Sequence, residues 1–220
     1  MERPWQNSRT TQVISARLLT SKGRPNNTSL ERVLISGIVH RTLYTIGHST
    51  HPVDELIHIL RAFKVTRLVD IRSIPQSRTN PQFNLDVLPK MLGDAEISYV
   101  HLLELGGRRG KSVCIEEDVN AAWERQPFHN YADYAQTAPF RAGLSKLLRV
   151  ASEETCVIMC AEAVWWHCHR RIVTDHVLVH GVSVIHLFTT TKSEPASLTP
   201  FAVVDAHDRI SYPALVHSQQ

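Results

Sequence analysis

The segment Leu68-Val69-Asp70-Ile71-Arg72-Ser73 decides the fold, together with Val157-Ile158-Met159-Cys160-Ala161-Glu162 about ninety residues further along the chain. In both segments a short run of apolar residues stops at charged or polar side chains. Such a run predicts a buried strand whose carboxyl end opens into a polar loop. Ligands of open α/β sheets bind at that end of the strands. The two segments therefore predict one shared site at one edge of a parallel sheet.

Strand-like and helix-like segments alternate along most of the chain. The predicted strands are 43–46, 66–71, 97–102, 155–159 and 182–188. The predicted helices begin at Pro52 and Asn84 and span 130–150, where Pro139 allows a break, and 168–180. Gly181 ends the last helix, because glycine readily adopts the left-handed conformation found there. This alternation predicts a single-domain, Rossmann-like (flavodoxin-like) α/β fold with a mostly parallel sheet and helices on both faces.

The net charge of +3 is distributed unevenly over the 220 residues. Residues 1–41 hold seven lysines and arginines against two glutamates, so the other 179 residues sum to −2. We interpret 1–41 as a flexible basic extension, 42–190 as the α/β domain and 191–220 as an irregular C-terminal tail. A domain so close to neutrality does not attract nucleic acid by charge alone. Affinity for phosphate would have to come from a local arginine cluster.

The cysteines and the apolar runs bear on the compartment. Four cysteines occur in a chain whose first residues lack the layout of a secretory signal. This pattern favours free thiols in a reducing compartment, and we expect a cytoplasmic protein. No apolar run approaches the roughly 18 residues of a membrane span, so we expect no membrane partner.

Five blocks of sequence, in a fixed order, carry a resemblance to a known family. The blocks are Thr45–Ser49, Asp70–Pro75, Arg78–Asn84, Leu102–Arg108 and Cys160–Arg171. With these blocks the chain resembles the domain of unknown function 488 family over about residues 43–188. The resemblance implies a compact α/β domain and marks the blocks as the polar signature of the family, but it implies no reaction. The chain departs from the family at Ala163-Val164-Trp165-Trp166, where polar or acidic residues are usual.

Arginines follow several predicted strands and are the strongest chemical signal in the chain. Guanidinium groups bind phosphate or carboxylate oxygens in pairs, and the free N–H groups at a helix start favour the same anions. We therefore predict a phosphate-bearing substrate, a nucleotide or a nucleic-acid component. The predicted substrate-binding residues are Ser49, Arg72, Arg78, Arg108, His169 and Arg170. The alternative is that these arginines form structural ion pairs with Asp70, Glu104 and Glu162.

Carboxylates at strand ends are the candidates for acid–base chemistry. Two carboxylates that flank a scissile bond can hydrolyse a glycosidic bond, and a glutamate can also attack a nucleoside sugar. His48 follows the first strand and could act as a general acid or bind an anion. We predict a hydrolase or transferase whose catalytic residues are Glu162, Asp70, His48 and Cys160. Asp70 has the alternative role of holding Arg72 in place.

Cys160, Cys168 and the neighbouring histidines allow a rival interpretation. A thiolate at a strand end, facing a helix start and an arginine, has the electrostatic setting of a cysteine nucleophile. Nine residues separate Cys160 from Arg170, which is long for a tight thiol-to-arginine loop. A transition metal at Cys160, Cys168 and His169 is the other possibility, but C-x-x-C spacing is lacking, so we predict no cofactor. The rival is a metal- or thiol-dependent enzyme centred on Cys160 and Cys168.

A third hypothesis is a non-enzymatic nucleic-acid-binding module. In such a module the basic extension 1–41 would add non-specific affinity for phosphate. Phe83 could stack on a base or anchor its loop to the core, and we favour the anchor. The near-neutral charge of the domain argues against this module.

Overall fold

The structure is a computed structural model that describes residues 42–214. The predicted extension 1–41 and residues 215–220 of the predicted tail lie outside the described residues. The strands are β1 (Thr42–Gly47), β2 (Arg67–Asp70), β3 (Ser98–His101), β4 (Cys156–Cys160), β5 (Ser183–Leu187), β6 (Ser193–Pro195), β7 (Val203–Val204) and β8 (Ile210–Ser211). The α-helices are α1 (Val53–Ala62), α2 (Leu88–Gly93), α3 (Gln126–Ala135), α4 (Ala138–Glu153) and α5 (Arg170–Val179).

Six of these strands form one sheet in the order β3-β2-β4-β1-β5-β6. The first five run parallel, and β6 pairs antiparallel with β5 at the edge. β4 is buried along its whole length, as a central strand covered by helices must be. The predicted α/β class with a mostly parallel sheet is therefore confirmed.

Helices cover both faces of this sheet. α1 and α2 pack with Ile46, Leu68 and Met159 on one face. α3, α4 and α5 pack with Leu43 and Ile158 on the other. The chain leaves β1 toward α1 but leaves the neighbouring β4 toward α5, so adjacent strands send their connections to opposite faces. Such a switch point opens a crevice, which falls here between the carboxyl ends of β1 and β4.

Two helices, α3 and α4, replace the single helix predicted over 130–150. The Thr137 hydroxyl accepts the Phe140 N–H and so caps α4. Pro139 stands in the first turn of α4, where a missing N–H has no helical partner to lose. Pro139 therefore belongs to the start of a helix and not to its interior.

Residues 193–211 contain three short strands where the sequence predicts an irregular tail. Ile210 and Tyr212 are buried, and the Tyr212 hydroxyl donates to Asp175 of α5 at 2.8 Å. Phe201 packs on the same core. A few widely spaced apolar side chains therefore attach this segment to the core of the domain without producing a periodic pattern in the sequence.

Candidate functional site

The loops after β1 and β4 are held side by side at the crevice. The His48 N–H donates to the Cys160 carbonyl at 2.9 Å, which extends the pairing of β1 and β4 beyond their ends. Glycine is required at position 47, because a Cβ there would lie 1.9 Å from the Glu162 carbonyl oxygen. This close approach brings the blocks around His48 and Glu162 to the same edge of the sheet.

A cavity of about 270 Å³ opens over these strand ends. Five residues of the predicted site line it: Arg72, Arg108, Cys160, Glu162 and His169. Phe128, His167 and Cys168 also line this cavity and offer an aromatic ring, an imidazole and a thiol. Side chains from the loops after β2, β3 and β4 therefore meet around one cavity, which we call the strand-end cavity.

Asp70 and Arg72 form a buried ion pair at the base of this cavity. The Arg72 guanidinium donates to both carboxylate oxygens, with Nε at 3.0 Å from Oδ1 and Oδ2 and Nη2 at 2.5 Å from Oδ2. Nη2 also donates to the Phe83 carbonyl, and the Tyr99 hydroxyl donates to Asp70 at 2.8 Å. Both Asp70 oxygens are therefore engaged, and Asp70 holds Arg72 in place, which is the structural alternative to a catalytic role.

His48 is buried beside this ion pair and lies outside the cavity wall. Its Nδ1 bonds the Ser49 carbonyl at 2.9 Å, and its Nε2 lies 3.2 Å from Arg72 Nη1. Its ring stacks on Phe83, which is fully buried, with 4.1 Å between centroids. Burial, reinforced by the charge of Arg72, lowers the pKa of His48 to about 4. His48 is therefore neutral near pH 7, and it supports Arg72 without reaching the cavity.

Acid is expected to destabilise the domain through its buried histidines. Burial is the main cause that lowers the pKa of His48, His176 and His186 from 6.5 to about 4. Below pH 6.5 the unfolded chain takes up protons that the folded chain refuses, so the free energy of unfolding falls between pH 6.5 and about 4. Each histidine contributes at most about 3 kcal/mol to this loss. Urea unfolding across this range measures it.

A matched pair of variants tests whether His48 contributes to this pH dependence. His48→Phe should reduce the pH dependence of the unfolding free energy, with the remainder due to His176 and His186, whereas replacement of the exposed His58 of α1 by alanine should leave it unchanged. An unaltered slope in His48→Phe would show that His48 does not stay neutral in the folded protein.

Arg170 is buried, at 1% exposure, and turns away from the strand-end cavity into the loop after β4. Its Nη2 donates to the Glu162 carbonyl at 2.6 Å, its Nη1 lies 3.5 Å from Thr45 Oγ1, and its Nε lies 3.4 Å from Cys168 Sγ. Within residues 42–214, no carboxylate pairs with Arg170. A buried cation needs anionic contacts, and the Cys168 sulfur is the ionisable one that it touches.

The remaining predicted residues are more exposed. Arg108 and Glu162 line the strand-end cavity with exposed side chains. Arg78 is exposed on the loop after β2 and lies outside the cavity wall, as does the half-buried Ser49. The four predicted arginines therefore do not converge on one anion site. Arg72 is paired with Asp70, and Arg170 donates to the backbone. Among the described acids, none pairs with Arg108.

Cys160, Cys168 and His169 form a compact cluster in the cavity wall, with their ligand atoms within 4.8 Å of one another. His169 Nδ1 lies 3.8 Å from Cys160 Sγ and 3.7 Å from Cys168 Sγ. Its other nitrogen, Nε2, lies 3.0 Å from the Ile71 carbonyl and donates to it. Nδ1 therefore faces both sulfurs. This thiol–imidazole cluster could hold a metal ion.

Local structure explains how the cluster forms. Cys160 is the last residue of β4, and the chain then makes a short 3-10 turn at Trp165–His167. This turn returns the chain to the strand end, so Cys168 and His169 arrive there directly before α5. Gly107 packs on the His169 ring, where a Cβ would lie 2.3 Å from Nδ1.

The two thiols of the cluster differ in ionisation. Burial alone raises the pKa of Cys168, but its hydrogen bond with Cys160 and the nearby His169 and Arg170 lower that pKa well below its usual value. The same hydrogen bond, together with burial, raises the pKa of Cys160. Cys168 is therefore the more acidic thiol of the pair and Cys160 the less acidic one.

Sequence reasoning missed several residues that shape the site. Tyr99 was inside a correctly predicted strand, but nothing in the sequence pairs its hydroxyl with Asp70. Phe128 lies in α3, which begins four residues before the helix predicted from 130. Gly107 lies in the block Leu102–Arg108, but nothing in that block indicates its contact with His169.

The apolar segment 163–166 is anchored to β5 and β6. Trp165 stacks on His186 of β5 with 4.6 Å between centroids, and its indole N–H donates to Glu194 of β6. Trp166 remains 42% exposed next to His167 of the cavity wall. The segment thus fixes the loop that carries the cluster.

The fold and site define an α/β domain with a thiol–imidazole cluster in the crevice at the carboxyl edge of its sheet. A family model described as "Domain of unknown function DUF488" matches residues 52–177, more than half of the chain. The chain therefore belongs to this family. No curated protein and no solved structure matches it. Within residues 42–214, no helix has the length and apolar character needed to cross a membrane.

Proposed function

We propose that the strand-end cavity is the active site of a metal-dependent hydrolase or transferase, with Zn²⁺ or a similar ion bound by Cys160, Cys168 and His169. The spacing of the three ligand atoms carries this proposal. Zn–S bonds of about 2.3 Å and Zn–N bonds of about 2.1 Å at tetrahedral angles separate neighbouring ligand atoms by roughly 3.6 Å. The two sulfur–nitrogen distances, 3.7 and 3.8 Å, are close to that value.

The surroundings of the cluster also suit a metal. Metal-binding histidines usually donate their second ring N–H to a carbonyl or carboxylate, as His169 does to Ile71. Thiolates are stabilised by nearby N–H donors, and Cys168 Sγ lies 3.5 Å from the Arg170 backbone nitrogen and 3.4 Å from its Nε. A soft donor set of two sulfurs and one nitrogen favours zinc over magnesium or calcium.

A metal held by these three residues would have one position free for water or substrate, as in catalytic zinc sites, and all three residues line the strand-end cavity. A metal there would polarise a substrate oxygen or acidify a water. In zinc deaminases two cysteines and a histidine hold the metal while a glutamate that is not a ligand moves protons. Glu162 lines the same cavity with an exposed side chain and is the residue for that role here.

Charge balance favours an anionic substrate. Two thiolates would neutralise a divalent ion, and the Asp70–Arg72 pair is neutral. Arg170, which lies behind the cavity wall beside Cys168, would then add a positive charge that has no acid partner among the described residues. Arg108 adds a second positive charge at the cavity wall. Phe128 offers an apolar surface in the same wall. We infer a small phosphate-bearing substrate with an apolar ring, of the nucleotide type.

Metal content tests the proposal. The wild-type chain, purified with zinc and dialysed against a weak chelator, is expected to retain stoichiometric zinc by elemental analysis. Cys160→Ser, Cys168→Ser and His169→Ala should each lose it, because removal of one ligand leaves only two. Cys114→Ser and His167→Ala are the matched controls, since Cys114 is exposed and His167 lines the cavity without joining the cluster.

Turnover is measured on the same preparations with a panel of nucleotides and nucleosides. Zinc retained equally by all variants would contradict the metal site. A thiol enzyme would show a different pattern, with activity lost in Cys168→Ser, full activity after chelation, and rapid alkylation of Cys168. The observation that favours this second candidate is the lowered pKa of Cys168 beside Arg170. Free thiols of this kind match the cytoplasmic location that we propose.

A further inference from the structure

A second cavity, of about 330 Å³, is lined by residues of α4, α5 and the turn between β7 and β8. Its wall shares no residue with the strand-end cavity. We call it the helix cavity. The residues that determine its chemistry are Gln136, Arg141, His176, His180, Asp208 and Arg209.

Two buried polar atoms in this wall have no partner. Four buried side-chain nitrogen or oxygen atoms of the described residues lack a hydrogen bond, and Gln136 Nε2 and His176 Nε2 are two of them. His176 is 7% exposed, so bulk water does not satisfy it. A buried polar group left unpaired costs about 1–3 kcal/mol, and native proteins rarely keep one without a function or a bound molecule. A ligand that bonds both nitrogens would remove that cost.

The charged and polar side chains of the wall indicate the chemical class of ligand that the helix cavity would bind. Arg209 is paired with Asp205 at 2.7 Å, whereas no described acid pairs with Arg141, so Arg141 is the cation of this wall that is left for a ligand. Arg141 Nη1 donates to the Gln136 carbonyl at 2.5 Å, which holds its guanidinium in place while its other N–H groups remain available to a ligand. Burial, with the neighbouring His180, lowers the pKa of His176 to about 4, so its ring is neutral at pH 7. An amide and a guanidinium match an oxyanion, and His176 would join them as a donor in the tautomer that carries its hydrogen on Nε2.

The turn that covers this wall is held in shape. Asp205 Oδ1 accepts the N–H groups of His207 at 2.8 Å and Arg209 at 3.0 Å, and Asp205 Oδ2 accepts the Arg209 side chain at 2.7 Å. Asp208 adopts a left-handed conformation, with φ of 58°. The turn thus presents Asp208 and Arg209 to the cavity without rearrangement.

We propose that the helix cavity is a binding site for a small oxyanion, a phosphate ester or a carboxylate, held by Gln136, His176 and Arg141. This site is independent of the proposed metal centre. It lies on the helix α5, whose start follows Cys168 and His169 directly, so a ligand here contacts the element that carries part of the thiol–imidazole cluster.

Inorganic phosphate is the probe for this site. The full chain is titrated with phosphate while the Gln136 side-chain amide and the His176 ring nitrogens are followed by NMR, and Tm is recorded in parallel. We expect saturable shifts of both groups and a rise in Tm. Gln136→Leu should raise the Kd of this response about tenfold, because one hydrogen bond to an anion is lost.

Arg108→Ala is the control, since it weakens phosphate binding in the strand-end cavity and leaves the helix cavity intact. His176→Phe is a second variant that should abolish the local shifts, and Gln136→Leu keeps the test valid if His176→Phe does not fold. Equal responses of wild type and Gln136→Leu, or NMR shifts confined to residues of the strand-end cavity, would overturn the proposal. So would a Gln136 amide that does not respond to saturating phosphate.

Discussion

Glu162→Gln is expected to lower turnover by about 10²- to 10⁴-fold, the usual contribution of a positioned acid–base group. The measurement is the steady-state rate on the compound that the nucleotide panel identifies. Glu162 is exposed, and within the described residues its side chain makes no hydrogen bond, so the variant should keep the wild-type Tm and its zinc content. A loss of rate without a loss of metal would separate proton transfer from metal binding.

Glu124→Gln is the matched control for this variant. Glu124 is also exposed but lies outside the strand-end cavity, so its replacement should leave the rate unchanged. If Glu162→Gln is as active as Glu124→Gln, Glu162 has no role in proton transfer and the reaction needs another base.

Arg72→Met is expected to destabilise the protein by about 3–5 kcal/mol, because it leaves the Asp70 carboxylate buried without its cation. Tyr99 would remain the only side-chain donor to Asp70 among the described residues. Urea unfolding at pH 7 gives the loss directly. We expect a loss of this size in the free energy of unfolding because both partners are buried, with Asp70 at 0% and Arg72 at 5% exposure.

Arg67→Met provides the comparison. It breaks the partly exposed ion pair with Glu154, and such pairs contribute about 0–1 kcal/mol. The double variant Asp70→Asn with Arg72→Met should be more stable than Arg72→Met alone, because no buried charge is left. A loss in Arg72→Met as small as that in Arg67→Met would show that the Asp70–Arg72 pair is not a structural element of the site.

Much of the fold follows from sequence because local patterns determine it. The apolar run Val157–Met159 predicts a buried strand, and β4 is buried along its whole length. Strand order does not follow, because it depends on which faces the helices cover. Gly181, with φ of 75°, ends α5 as predicted, since that conformation has a residue preference of its own.

The meeting of the strand-end segments could be predicted from sequence, but the directions of their side chains could not. The carboxyl ends of parallel strands share an edge, so the meeting of Cys160 with the Cys168 block was predictable. Whether an arginine faces the cavity or its own neighbours depends on side-chain direction: Arg72 turns back to Asp70, two residues away, and Arg170 turns into the loop carbonyls. C-x-x-C spacing is absent from the sequence, yet the turn at 165–167 brings together cysteines eight positions apart.

The central claim is that Cys160, Cys168 and His169 bind one metal ion. X-ray absorption at the zinc edge on the zinc-loaded full chain tests it most directly, because the scattering identifies the ligand atoms. The account predicts two sulfurs at about 2.3 Å and one imidazole nitrogen at about 2.1 Å, with one sulfur lost in Cys168→Ser. A first shell of oxygen and nitrogen alone, or a spectrum that Cys168→Ser leaves unchanged, would contradict it.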